Sequence, residues 1–274
     1  MNLGLEGMAA FVTGASKGIG EATARLLAAE GCDVAITARG EEQLRKTAAA
    51  IAASTGRTVL PLVGHMGRTE DVERTVAEAI SSLGKIDILV TCAGSSPGGL
   101  LENLTEEDWF GSLNLKFMGY VRTCRAVVPH MKARESGSIV LVVGNDGLKP
   151  SYWEMTAGVA NAADINFASS LAEQYAPFGI RVNTVNPGPV NTDRWDGLEK
   201  ALARDKGVDQ ERAHELAVGS IPLGRICEAD EVANLVAFLA SPRASFVNGA
   251  HVPIDGAQRK GLIDIPDSAS RWTR

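Results

Sequence analysis

Seven short apolar runs, near residues 8–12, 33–38, 57–63, 86–92, 138–143, 180–186 and 248–254, alternate along the chain with longer segments of helical period. Runs this short and rich in Val, Ile and Leu read as strands buried on both faces, because a strand covered on one side alternates polar with apolar residues. Strands joined by helix-length crossovers pair in parallel. The alternation therefore predicts an α/β fold, a doubly wound parallel sheet of about seven strands flanked by helices on both faces. A chain of 274 residues can bury such a core as a single domain.

The first run, Met8 to Val12, leads into Thr13-Gly14-Ala15-Ser16-Lys17-Gly18-Ile19-Gly20 and then an alanine-rich helix. A strand, a glycine turn and a helix aim backbone N–H groups at one point, where a diphosphate is stabilised. Glycines at 14, 18 and 20 allow a tight turn and the close approach of a ligand. The spacing differs from Gly-x-Gly-x-x-Gly, and a loop of this kind also serves as a plain strand-to-helix turn.

Later landmarks narrow the choice. The fourth run ends in Cys92-Ala93-Gly94, Asn114 sits in a long helical stretch that Thr105 and Asp108 can cap, and the sixth run leads into Asn186-Pro187-Gly188, Val190 and Thr192. In this order they resemble the classical short-chain dehydrogenase/reductase family over essentially the whole chain. The resemblance implies a single-domain Rossmann-type oxidoreductase over 1–256, with a lid insertion about 189–219 and a C-terminal tail over 257–274. It places the cofactor on Gly14, Ser16, Lys17, Gly18, Ile19, Gly20, Cys92, Ala93, Gly94, Pro187, Gly188, Val190 and Thr192, the last at the nicotinamide carboxamide.

Charge bears on which cofactor. An acidic residue at the end of the second strand binds the ribose hydroxyls of NAD, whereas a basic one accommodates the 2′-phosphate of NADP. Here the strand ends in Thr37-Ala38-Arg39, and Lys17 lies in the glycine loop. Both cations predict NADP(H) over NAD(H). His65-Met66 stands where many members of the resembled family place residues beside the adenine.

Catalytic positions are where the chain departs from the family. There, a tyrosine exchanges the alcohol proton, a lysine four residues on lowers its pKa, a serine holds the carbonyl oxygen and a helical asparagine supports a water relay. Counting without gaps from Gly137 to Pro187-Gly188 puts Gly144 at the serine, Ala157 at the tyrosine and Asn161 at the lysine, leaving Asn114 as the retained position. No lysine lies between Lys149 and Lys200, so no shift of register restores the pair. Three readings follow: an oxidoreductase with a rebuilt site; a non-redox lyase or hydratase; or a non-catalytic NADP(H)-binding subunit or sensor, able to pair with a competent relative. Replacement proton donors are Tyr152, Lys149, Asp146 or a water held by Asn114 and Asn161. Asp164, at helical spacing from Ala157 and Asn161, is a further candidate.

The remaining features set bounds. A net charge of −6 with no Lys/Arg-rich run argues against nucleic acid, and no apolar run approaches the eighteen residues or so of a membrane span. A small-molecule substrate is the expected partner, and Leu148, Trp153, Met155 and Trp195 would give its pocket apolar walls. Cys32, Cys92, Cys124 and Cys227 are scattered without Cys-x-x-Cys, no metal site is expected, and the first strand leaves no room for a signal peptide, so the cytoplasm is the expected location. Small and apolar residues on several faces of the helices at 105–134 and 156–176 (Ala126, Val127, Ala160, Ala163, Phe167) predict a homodimer or homotetramer.

Overall fold

In the computed structural model, which describes residues 2–261, seven strands pair in parallel throughout, in the order β3-β2-β1-β4-β5-β6-β7. They are β1 (Ala9–Thr13), β2 (Asp33–Ala38), β3 (Val59–Val63), β4 (Ile88–Thr91), β5 (Gly137–Val142), β6 (Ile180–Pro187) and β7 (His251–Ile254), each within three residues of its predicted bounds. The helices are α1 (Gly18–Ala29), α2 (Glu41–Thr55), α3 (Thr69–Leu83), α4 (Glu106–Ser112), α5 (Met118–Ala133), α6 (Met155–Tyr175), α7 (Asp193–Lys206), α8 (Gln210–Gly219) and α9 (Ala229–Ala240).

Both faces of the sheet are covered, which is why its strands read as continuous apolar runs. Val12 and Ile36 join the core under α1, α2 and α9, while their neighbours Phe11 and Ala35 join the core under α3, α5 and α6. Strand order reverses between β1 and β4, whose tips meet at Thr13 and Thr91. That reversal opens a crevice at the carboxyl ends of the strands, where ligands of open α/β sheets bind.

The long helix expected to carry Asn114 is capped as predicted. The Thr105 hydroxyl accepts from the Asp108 N–H at 3.2 Å, and the Asp108 carboxylate accepts from the Thr105 N–H at 3.0 Å. It is not uniform, however. Between α4 and α5 the segment Leu113–Phe117 takes one wider π turn, which re-aims its side chains relative to a continuous α-helix.

Helices α7 and α8, the segment expected as a lid, are seated on Trp153, which packs against Leu202, Ala203 and Ala213. The segment expected as a tail packs against the body at its start: Gln258 and Lys260 are buried, and the Gln258 side chain donates to Ser220 Oγ at 3.2 Å. Residues 262–274, the rest of that segment, lie outside the described residues. Among the described residues no helix is long and apolar enough to cross a membrane. The four cysteines are free. Val127 and Ala160 are fully buried and Phe167 meets Phe117 edge to face at 6.2 Å, so part of the apolar surface assigned to a partner is covered within the chain.

Packing of α1 on the loop before it has no spare volume. A Cβ on Gly20 would sit 2.3 Å from the Gly14 carbonyl oxygen. Gly20→Ala should therefore destabilise the protein by about 1–3 kcal/mol, read as a lower denaturant midpoint at unchanged m-value. An unaltered midpoint would contradict this packing.

Candidate active site

The crevice begins where the tips of β1 and β4 are tied together. Thr13 Oγ1 accepts from the N–H groups of Cys92 and Ala93 at 3.1 and 3.2 Å. Gly14 follows with φ of +67°, and a Cβ there would lie 2.8 Å from the Ala93 backbone. The next turn is held from behind, by Ala15 N–H to Thr37 O at 3.2 Å and the Thr47 hydroxyl to Ser16 O at 2.8 Å. The first turn of α1 has no side-chain cap, so its N–H groups face a bare loop. A diphosphate fits such a cradle. From the other side Thr192 closes over the loop, its Cγ2 3.3 Å from where a Cβ on Gly18 would stand.

Two flanking cations lie differently from each other. Lys17 pairs with Asp193 on the first turn of α7 at 2.9 Å, both side chains exposed. Arg39 stands exposed at the tip of β2 near His65, whose pKa burial lowers first, with Arg39 and Arg68 adding to the effect. His65 Nδ1 accepts the Gly67 N–H at 2.9 Å. Met66, expected beside an adenine, has its side chain buried under α5, where the Thr123 hydroxyl donates to its sulfur at 3.8 Å.

Ile19, Cys92, Gly94, Pro187, Gly188, Val190 and Thr192 form one wall of a cleft of about 1110 Å³, its open mouth included. Trp153, Trp195, Leu198 and Leu202 supply an apolar wall, the last three from the lid. Leu148 and Met155, expected beside them, do not line it: Leu148 is 39% exposed after β5, and Met155 opens α6 away from the cleft lining.

Gly144, Ala157 and Asn161 do converge on the cleft, as the sequence count requires. Gly144 has φ of +148°, and a Cβ on it would stand 2.5 Å from Asn161 Nδ2. A serine therefore has no room there while Asn161 keeps its place, donating Nδ2–H to Asp146 Oδ1. Asn161 Oδ1 is buried with no hydrogen-bond partner among the described residues.

Other candidates are turned away. Asn114, taken as retained, is exposed and points from the cleft: it donates to Gly67 O at 3.3 Å and accepts from Arg122 at 2.8 Å. The π turn is the reason, and it brings Lys116 into the cleft instead. Tyr152 is 41% exposed and outside the cleft lining. Lys149 is held by Asp255 and by Gln258 O.

A charged wall, of which sequence pointed only to Asp146, completes the cleft. Lys116, Asp146, Glu154, Arg194 and Lys260 line it, with Lys260 donating to Glu154 and Arg194 donating to Ser95 Oγ at 3.3 Å. Tyr120 also lines it, but its hydroxyl donates to Val142 O at 2.6 Å and burial raises its pKa. Asp164 lies fully buried, with both carboxyl oxygens lacking a hydrogen-bond partner among the described residues. Burial raises its pKa to about 8 against the pull of Lys116, and burial lowers that of Lys116 against the pull of Asp146. Lys116 could have been found: Ser112, Lys116, Tyr120, Cys124 and Val127 form one buried helical stripe interrupted by a lysine. Nothing near Lys260 signals its burial. Among the described residues no three His, Cys, Asp or Glu are grouped to hold a metal.

A family model described as enoyl-(acyl carrier protein) reductase matches residues 14–257. The 3-oxoacyl-(acyl-carrier-protein) reductase of Thermotoga maritima is 33% identical over 252 residues, covering 92% of this chain and 98% of that protein. Among solved structures, L-sorbose reductase from Gluconobacter frateurii, complexed with NADPH and L-sorbose, superposes with a TM-score of 0.88 at 32% identity, covering 94% of this chain and 98% of that one. An NAD+-bound xylitol dehydrogenase superposes at 0.86 with 28% identity, covering 91% and 98%.

Asp164 gives the fold a measurable pH dependence. The folded state keeps a proton that the unfolded chain releases at the ordinary carboxylate value, so this group's contribution to stability falls as pH rises from there through about 8. Asp164→Asn, which cannot ionise, should flatten that decline and gain on the wild type toward pH 8 and above. Parallel stability curves for the two proteins across the window would contradict the assignment.

Proposed function

We propose, from the premise that the chain belongs to the short-chain dehydrogenase/reductase family, that it is an NADP(H)-dependent oxidoreductase interconverting a hydrophobic carbonyl compound and its alcohol at an atypical active site. The observation that carries this reading is one continuous cleft joining the bare glycine loop, Pro187-Gly188 and Thr192 to an apolar lid and a charged wall. A bound nicotinamide cofactor supplies or accepts hydride. The chain's own residues bind and orient: the first turn of α1 takes the diphosphate, and Trp153, Trp195, Leu198 and Leu202 exclude water from the substrate.

Gly144, Ala157 and Asn161 stand, on this reading, where the family carries its serine, tyrosine and lysine. The missing phenol is worth on the order of 10² to 10⁴ in rate, so turnover depends on a different proton donor. The same gap supports the second reading, a non-catalytic NADP(H)-binding subunit. Arg39, at a strand end that carries no carboxylate, supports NADP(H), and the exposed Lys17–Asp193 pair is weak enough to open for a phosphate. The relatives include both an NADPH complex and an NAD+ complex. We place the protein in the cytosol, where its four free cysteines stay reduced, and assign the domain, with its lid over about 189–219, to residues that run past 256 to include Gln258 and Lys260.

NADPH should bind at least about tenfold tighter than NADH, the value of one charge-assisted contact, and Arg39→Ala should erase most of that ratio in a calorimetric titration. Equal affinities for the two cofactors would sink the NADP(H) assignment. Exposed Val159 on α6 and Phe110 on α4 still favour a homo-oligomer, so light scattering at micromolar concentration should give a dimer or tetramer mass.

A further inference from the structure

We propose that Lys116 is the catalytic proton donor of this site, its ammonium protonating the substrate oxygen during carbonyl reduction. The inference rests on the oxidoreductase reading above and assigns the one role that reading leaves open. Lys116 reaches the cleft from the π turn at Leu113–Phe117, and its stem crosses Gly94 at the end of β4, where a Cβ would stand 3.0 Å from the Lys116 Cγ. Any side chain at 94 would crowd that path.

At its tip the ammonium has three donors and one hydrogen bond, to Val143 O at 3.4 Å, the long end of the range. No carboxylate lies within ion-pair distance of it among the described residues. An ammonium buried with so little compensation is costly, whereas methionine would fill the same volume, and such groups cluster where their charge is used. The titratable groups facing it come from every side: Asp146 after β5, Glu154 before α6, Asp164 on α6, Arg194 on α7, Tyr120 on α5 and Lys260.

The step balances within the cleft. Hydride addition to the carbonyl carbon moves the C=O π pair onto oxygen, an O–H bond forms as one N–H bond of Lys116 breaks, and a neutral amine remains. Burial favours that neutral amine, and water at the open mouth of the cleft returns the proton. Reduction then needs the ammonium and alcohol oxidation needs the amine. Since the pKa is lowered from the ordinary lysine value, reduction should lose rate, and oxidation gain it, as pH rises through a value below that range.

The test uses the full chain, with Lys116→Met and Lys116→Arg as variants, thermal melts to confirm folding, and a panel of aryl and alkyl ketones as probes. Three quantities are read: NADPH affinity by fluorescence, the pH profile of kcat/KM, and titration of the Lys116 side chain by NMR, assigned by its loss in Lys116→Met. Lys116→Met should keep NADPH affinity within about threefold while losing about a hundredfold or more in reduction, with the falling limb of the profile abolished. Lys116→Arg should lose as much, because its guanidinium stays charged but does not give up its proton. The NMR titration should coincide with the kinetic limb. Full activity in either variant, or a lysine that titrates in the ordinary range, overturns the proposal while leaving the oxidoreductase reading intact. A wild type that binds NADPH and turns over no ketone overturns both.

Discussion

Everything in the cleft depends on how closely the tips of β1 and β4 approach. Thr13 Oγ1 collects two backbone N–H groups of β4, and Gly14 lies against the Ala93 backbone with no volume to spare. The contact fixes the glycine loop at the reversal of strand order, so the start of α1 opens into the crevice. A side chain at 14 or 20 would force loop and helix apart. The cofactor cradle and the packing of the fold are here the same set of backbone contacts.

Electrostatics make the second half of the site unusual. Ala157 and Asn161, the α6 residues that line the cleft, are not titratable, yet the cleft holds Lys116, Asp146, Glu154, Arg194 and Lys260. Burial pushes Asp164 and Lys116 each toward its neutral form, while their mutual attraction opposes it. The neutral asparagine at 161 fits this environment: it ties down Asp146 without adding a charge that would compete with Lys116.

The fold was legible because parallel strands buried on both faces write themselves as apolar runs, and all seven lie where those runs predict. The glycine turn was legible for a related reason, since glycine at 14, 18 and 20 answers a backbone demand that sequence states directly. Side-chain direction was less accessible. Asn114 is a good match by position in a chain, but a single π turn points it at Gly67 and Arg122 and turns Lys116 inward. The direction of Met66 was equally hidden, as an apolar side chain beside a strand tip can face a cleft or the core, and here it is buried in the core. Lys260 carries no local signal at all, because its burial depends on Glu154, more than a hundred residues away.

That long-range pairing bears on how the site is held together. The loop between β5 and α6 carries Gly144, Asp146 and Trp153, and the segment after β7 fastens it at three points: Lys149 to Asp255, Asn145 to Gln258 at 2.7 Å, and Lys260 to Glu154. Trp153 then gives the lid its seat, with its indole N–H donating to Asp205 at 2.9 Å. Because this loop lines the cleft through Gly144, Asp146 and Trp153, its position sets the shape of the cleft. Here the residues after β7 fix it through ion pairs and amide hydrogen bonds that surround the cleft and leave the ammonium of Lys116 facing it.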